Sequence, residues 1–189
     1  MVVSVKTFEQ VALEDGDAQW ELDRGVLRRK PDMTMQHNRT MSELGFQVRA
    51  QIDPAVWSVR VNAGHISLGD DSYYVPDVSV ISVELEAQFE GVSNRLETYA
   101  AALPFVAEVW SPSTGGYDVN TKLRRYQERG DAEIWLVHPF ERTVRAWIRR
   151  PDGGYDERGY RSSEKAPLAA LPGVTIDLDA LFEPGRKRP

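Results

Sequence analysis

The chain has 189 residues and a formal charge of −6, with 28% charged and 41% hydrophobic residues. That balance is the one a single soluble globular domain needs to enclose a core. The acidic charge is unlike a dedicated nucleic-acid-binding module, although an enzyme that cuts phosphodiesters can be acidic overall because its metal-binding residues are carboxylates. Cysteine is absent, which excludes disulfides, thiolate metal sites and cysteine catalysis, so any metal would be a hard cation such as Mg2+ or Mn2+ held by oxygen or histidine.

The first segment, "MVVSVKTFEQ", has no basic stretch followed by a long apolar run, and no run approaches the roughly 20 apolar residues that span a bilayer. A cytoplasmic location without a membrane partner is the expectation. Thr7 followed by Gln10 resembles a capping box, which predicts a short helix through about residue 14. "AQWELDRGVLRRK" reads as a small hairpin turning at Arg24-Gly25, with strands near 18–22 and 26–30.

Met41, Leu44, Val48 and Ile52 form an apolar stripe at helical spacing and predict a helix over about 35–51. His37, four residues before Met41, heads the inward face. Strands are expected near 56–61, 64–68 and 75–83, and 84–100 lacks a clear pattern. "LPFVAEVWS" at 103–111 reads as a strongly buried strand. A turn-rich loop and a helix over "DVNTKLRRYQERG" follow, with Asp118 as N-cap and Gly130 as the C-terminal stop.

"AEIWLVHP" and "TVRAWIRR" read as strands, "YDERGYR" as an edge strand, and "LPGVTIDLDALF" as a strand with one helical turn. No long linker divides the chain. These elements predict one mixed α/β domain over 1–183, a sheet flanked by helices, and a basic disordered tail at 184–189.

Two acids stand out against their surroundings. Asp77 follows Pro76 at the entrance of an apolar run, and Glu108 is embedded in "FVAEVW". A turn residue explains Asp77 taken alone, and a salt bridge to Lys122 or an arginine is the structural explanation of Glu108. Together, two buried acids on neighbouring strands can share a divalent cation that offsets their repulsion and desolvation.

Asp118, Lys122 and Tyr126 recur every four residues and share a helical face. Lys122 can therefore face the sheet and stabilise charge on a reacting phosphate, or simply pair with Asp118 at the surface, a contact worth about 0.2–0.5 kcal/mol. A lone buried histidine such as His37 is commonly structural. His65 and His138 read as structural too, and Trp135 and Trp147 as sheet core. Arg124, Arg125, Arg129 and residues 148–150 form either a solvated surface or a phosphate-facing patch.

The block "PFVAEVWSPSTGGYDVNTKLRRYQERGDAEIWLVHP", with "YYVPDVSVI", "WELDRGVLRR", "MQHNRT" and "LPGVTIDLDALF", resembles the Uma family of restriction-endonuclease-like proteins, formerly a domain of unknown function within the PD-(D/E)XK superfamily. The resemblance covers nearly the whole chain. It implies a restriction-endonuclease-like fold and Mg2+- or Mn2+-dependent hydrolysis of phosphodiesters, with DNA as the expected substrate and partner.

By that resemblance Asp77 and Glu108 are the metal-binding acids, with the backbone carbonyl of Val109 as a further ligand. The lysine usually found two residues after the second acid is replaced by Trp110, and the family pattern supplies it from the following helix as Lys122. Glu21 and His37 match the family's upstream glutamate and its histidine before the first long helix. Cleavage of both strands would suit a homodimer. The alternatives are a catalytically silent nucleic-acid- or metal-binding module of the same fold, and a hydrolase of a smaller phosphoester.

Overall fold

The computed structural model describes residues 2–69, 71–112 and 121–183. Helix α1 spans Val5–Glu14 and starts earlier than the Thr7 pattern suggests. Ser4 is its N-cap and accepts from the amide of Thr7, so Thr7 occupies the first turn. Strands β1 (Trp20–Asp23) and β2 (Val26–Arg29) form the expected hairpin. Arg24 and Gly25 both have positive φ, 50° and 74°, as a two-residue turn of primed type requires.

Helix α2 (Met35–Arg49) is capped by Thr34 and buries His37, Met41, Leu44 and Val48, the stripe its sequence specifies. The strands that follow divide between sheets. Strands β4 (His65–Leu68), β5 (Ser72–Tyr74) and β7 (Thr98–Tyr99) join the hairpin in a five-stranded sheet ordered β2-β1-β5-β4-β7.

Strands β3 (Trp57–Val61), β6 (Val78–Ser82), β8 (Phe105–Val109), β9 (Glu133–His138), β10 (Thr143–Arg149) and β11 (Tyr155–Arg161) build a six-stranded mixed sheet. Its order is β11-β10-β9-β8-β6-β3; β8 runs parallel to β9 and antiparallel to β6. A pair, β12 (Lys165–Pro167) and β13 (Thr175–Asp177), leads into helix α5 (Leu178–Phe182). Short helix α3 (Val83–Ala87) follows β6, and α4 (Leu123–Arg129) lies between β8 and β9. Gly130 ends α4 with φ 86°, a left-handed stop that favours glycine.

The strand expected over 75–83 begins only at Val78, as β6, and the residues just before it, Ser72–Tyr74, form a separate strand, β5, in the other sheet. Proline at 76 has no amide hydrogen to continue a ladder. The chain leaves the five-stranded sheet after Tyr74 and enters the six-stranded sheet at Val78. Val75, Pro76 and Asp77 form the crossing. One core cluster packs α2, α5 and β13 against one face of the larger sheet, through Leu44, Phe105, Trp135, Ile176 and Leu181. A second fills the space between the sheets with Ile66, Tyr74, Tyr99, Tyr126 and Ile134. Trp135 and Trp147 are buried among these residues, as expected of sheet core.

Candidate active site

The crossing from β5 to β6 removes three residues from regular pairing, and charged side chains serve their backbone and its neighbours. Glu21 on β1 accepts the Val75 amide through Oε1 at 2.9 Å. Lys30, just past β2, donates to the Val75 carbonyl at 3.0 Å. The antiparallel register pairs Val78 with Ala107, so Val109 falls opposite Pro76. There Asp77 takes over from the ladder: its Oδ2 accepts the Val109 amide at 2.8 Å. The Val109 amide thus meets a carboxylate, while Pro76, with no N–H, offers the Val109 carbonyl no ladder donor.

Asp77 is 1% exposed and accepts three donors. Besides Val109, His37 Nε2 lies 2.9 Å from Oδ2 and Lys30 Nζ lies 2.9 Å from Oδ1. Burial alone would raise its pKa. The charge of Lys30, the hydrogen bond and charge of His37, and the charge of Lys122 outweigh that and hold the carboxyl well below the usual aspartate range. Asp77 is thus an ionised carboxylate inside the protein. His37 reaches it because Thr34 caps α2 by accepting the His37 amide, which fixes the ring at the inward head of the helix.

Glu108, in the middle of the buried strand β8, is also 1% exposed. Its Oε1 accepts the Tyr126 hydroxyl at 2.5 Å and lies 3.2 Å from Lys122 Nζ. Tyr126 sits on α4 beneath the site. Burial, then the charge of Glu108, raises its pKa well above the ordinary value, so the phenol stays a donor. Lys122 precedes α4, is 2% exposed, and donates to Glu21 Oε1 at 2.8 Å.

The surface pairing of Lys122 with Asp118 involves a residue outside the described segments. Within them, Lys122 faces the two buried glutamates. Its ion pair with Glu108 is the salt bridge that a purely structural account of Glu108 requires, and it equally places an ammonium beside a candidate metal ligand.

Glu21, Lys30, Asp77, Glu108 and Lys122 line one narrow cavity, roofed by Pro31 and Met33. His37 supports it from behind Asp77. The five side chains expected from the sequence are thus brought together from both sheets and from two helical segments.

Lys30 and Tyr126 complete the site. Lys30 carries no sequence pattern beyond ending a hairpin strand. Its direction comes from the extra pairing of its amide with the Gln19 carbonyl, a register detail. Tyr126 was visible only as a neighbour of Lys122 on a helical face.

Other candidates have structural roles. His65 Nε2 lies 3.2 Å from the Trp20 carbonyl, and its ring meets Phe8 edge-on. His138 stacks on Trp110 with ring centroids 4.4 Å apart, so Trp110, at the usual lysine position, packs beside the cavity instead of acting in it. Arg129 binds Asp131 and the Ala101 carbonyl, and Arg150 binds Asp152 and Asp156. A phosphate-facing patch made of these two arginines is not what the structure presents.

The donor chemistry fits a hard cation. Asp77, Glu108 and Glu21 are the carboxylates of the cavity, of which Asp77 and Glu108 could serve as charged ligands. Among the described residues, no three of His, Cys, Asp and Glu converge as a self-sufficient metal cage. Magnesium does not demand one, because it keeps several waters and commonly takes one or two carboxylates together with substrate phosphate. Val109 adds a carbonyl on the appropriate side. In an extended strand the N–H and C=O of one residue face the same neighbour, and the Val109 N–H faces Asp77 whereas that of Trp110 faces β9.

Among the described residues no helix is long and apolar enough to cross a membrane. No curated protein matches the chain. A crystal structure described as a putative nuclease belonging to DUF820, from Anabaena variabilis, shares the fold. Its TM-score is 0.71 at 19% identity, over 88% of this chain and 90% of that one. The sequence model of the Uma2 family, described as "Putative restriction endonuclease", matches residues 5–179. Since that match spans most of the chain and takes in the three acids and two lysines of the cavity, together with His37, the chain belongs to the Uma2 family.

Proposed function

We propose that this protein is a Mg2+- or Mn2+-dependent endonuclease that hydrolyses phosphodiester bonds in DNA. The observation carrying this reading is the convergence of buried Asp77, Glu108 and Lys122 on one cavity from three separate segments. Three acids and two lysines out of water are a costly grouping for stability alone. Asp77, Glu108 and the Val109 carbonyl would hold the cation. When bound, the cation supplies Lewis-acid stabilisation of the phosphoryl oxygens and acidifies a nearby water.

The protein's own groups do the rest. Lys122 presents its ammonium to the charge that builds on the phosphoryl group, and Glu21 holds it in place through the 2.8 Å contact. His37 orients the Asp77 carboxylate, and Tyr126 orients that of Glu108. Water attacks phosphorus, the P–O bond to the leaving strand breaks, and that oxygen takes up a proton. A symmetric homodimer would bring two such sites to the two strands.

Nicking of supercoiled plasmid in Mn2+ or Mg2+, with chelator as control, tests the proposal. Asp77→Asn and Glu108→Gln are expected to abolish nicking. Lys122→Met is expected to slow it by roughly 10²–10³-fold while Mn2+ still binds. Undiminished nicking by either acid variant would overturn the assignment. A second reading is favoured by the lysine pairing of every acid: a binding module of the same fold without turnover. It predicts salt-sensitive DNA binding with no cleavage in either metal.

A further inference from the structure

Lys30 is held like a bound ion. Its Nζ contacts Asn62 Oδ1 at 2.7 Å, Asp77 Oδ1 at 2.9 Å and the Val75 carbonyl at 3.0 Å. These are a side-chain amide, a carboxylate and a backbone carbonyl, the oxygen set that hard cations take. An ammonium has three hydrogens, and the three acceptors account for all of them. The side chain is 6% exposed, so this is an internal charge and not a surface lysine leaning inward.

The cradle is built from distant parts of the chain. Asn62 has a left-handed backbone, φ 49°, and follows β3, and its amide binds the Asp77 carbonyl. The same two residues therefore fix both the acid and the lysine facing it.

We infer that Lys30 is a built-in cation that takes the place of a second metal ion, so that the site binds one divalent cation and not two. The inference rests on the metal-dependent reading of the site. Asp77 offers about four lone-pair positions. Lys30, His37 and the Val109 amide take three of them, leaving one direction for a metal.

The surroundings agree with this count. The three acids of the cavity, Glu21, Asp77 and Glu108, already face the side chains of Lys30 and Lys122. A second divalent cation on the Lys30 side of Asp77 would meet that ammonium at close range, in a space where charge is weakly screened. Lys30 is thus a positioning residue. It fixes Asp77 from one side and restricts where, and how many, metal ions bind.

Mn2+ binding, counted by electron paramagnetic resonance of the free ion and by calorimetry, tests this without reference to cleavage. The wild-type protein is expected to bind one equivalent. Lys30→Met, similar in length but uncharged, is expected to bind a second equivalent and to hold the first at least about tenfold more tightly, since a repelling unit charge is gone. Asn62→Gly tolerates the left-handed backbone, keeps the lysine and removes its nearest acceptor. It is expected to tighten Mn2+ by a few fold, and it carries the test if Lys30→Met does not fold.

Two equivalents in the wild-type protein, or unchanged stoichiometry and affinity in the folded variants, would overturn the role of Lys30 and leave the metal reading standing. Absence of bound Mn2+ from the wild-type protein and both variants would overturn the metal reading and this inference with it.

Discussion

Replacing Asp77 by asparagine keeps the shape of the side chain but changes what it offers. Both carboxylate oxygens accept now, Oδ1 from Lys30 and Oδ2 from His37 and the Val109 amide. An asparagine has one acceptor oxygen and an NH2 group, so one side of it must face a donor with a donor. Lys30, 6% exposed, loses the carboxylate it pairs with at 2.9 Å. Removing one partner of a buried ion pair costs about 3–5 kcal/mol. For a chain of this size each kcal/mol lowers Tm by about 2–4 °C, so a fall of about 6–20 °C is expected.

The effect should depend on pH in a definite direction. Asp77 has its pKa depressed in the folded protein, so the unfolded chain takes up the proton first as pH falls. The advantage of wild type over Asp77→Asn is complete above the ordinary aspartate pKa of about 3.9 and is lost as pH drops through the lower folded value. Urea unfolding followed by circular dichroism at pH 7 and in steps down to pH 3 measures the full advantage and the onset of its loss. The double variant Asp77→Asn/Lys30→Met should recover part of the loss, with a coupling of about 2–3 kcal/mol. Wild-type stability for Asp77→Asn at pH 7, or losses that simply add in the double variant, would refute the reasoning.

Two further outcomes follow from the same network and its frame. Tyr126→Phe keeps the buried ring and removes the hydroxyl bonded to Glu108, so unfolding should become easier by about 1.5–3 kcal/mol, measurable by urea titration. Gly130→Ala forces a side chain into a left-handed residue and should cost about 1–2 kcal/mol by the same measurement, while leaving Mn2+ binding unchanged because the cavity does not include it.

Much of the fold was legible because local chemistry and tertiary structure agree. The α2 stripe, the Arg24-Gly25 turn and the Gly130 stop each follow from short-range rules. The run 73–84 was not legible as two strands. Its residues are apolar on both sides of Pro76, and burial between or within sheets leaves the same pattern in sequence. Only partner strands distinguish β5 from β6.

The acids were legible for the opposite reason. A charge in an apolar strand conflicts with its surroundings, and Asp77 and Glu108 each showed that conflict. Lys30 showed none, since a lysine at the end of an exposed hairpin strand is ordinary. Its burial depends on where residues 62 and 75 arrive.

The crossing at Val75-Pro76-Asp77 also joins two sheets mechanically, and the cavity lies across that joint. Glu21 belongs to the smaller sheet and Glu108 to the larger, yet one ammonium, Lys122, spans them at 2.8 and 3.2 Å. A slip of one sheet against the other by a single ångström would break that span while leaving each sheet's own ladder intact. The cavity therefore acts as a gauge of sheet alignment. Heat or denaturant that loosens the joint disables the site before either sheet melts, and a residue inserted between Tyr74 and Val78 would separate the acids without unfolding the strands that carry them.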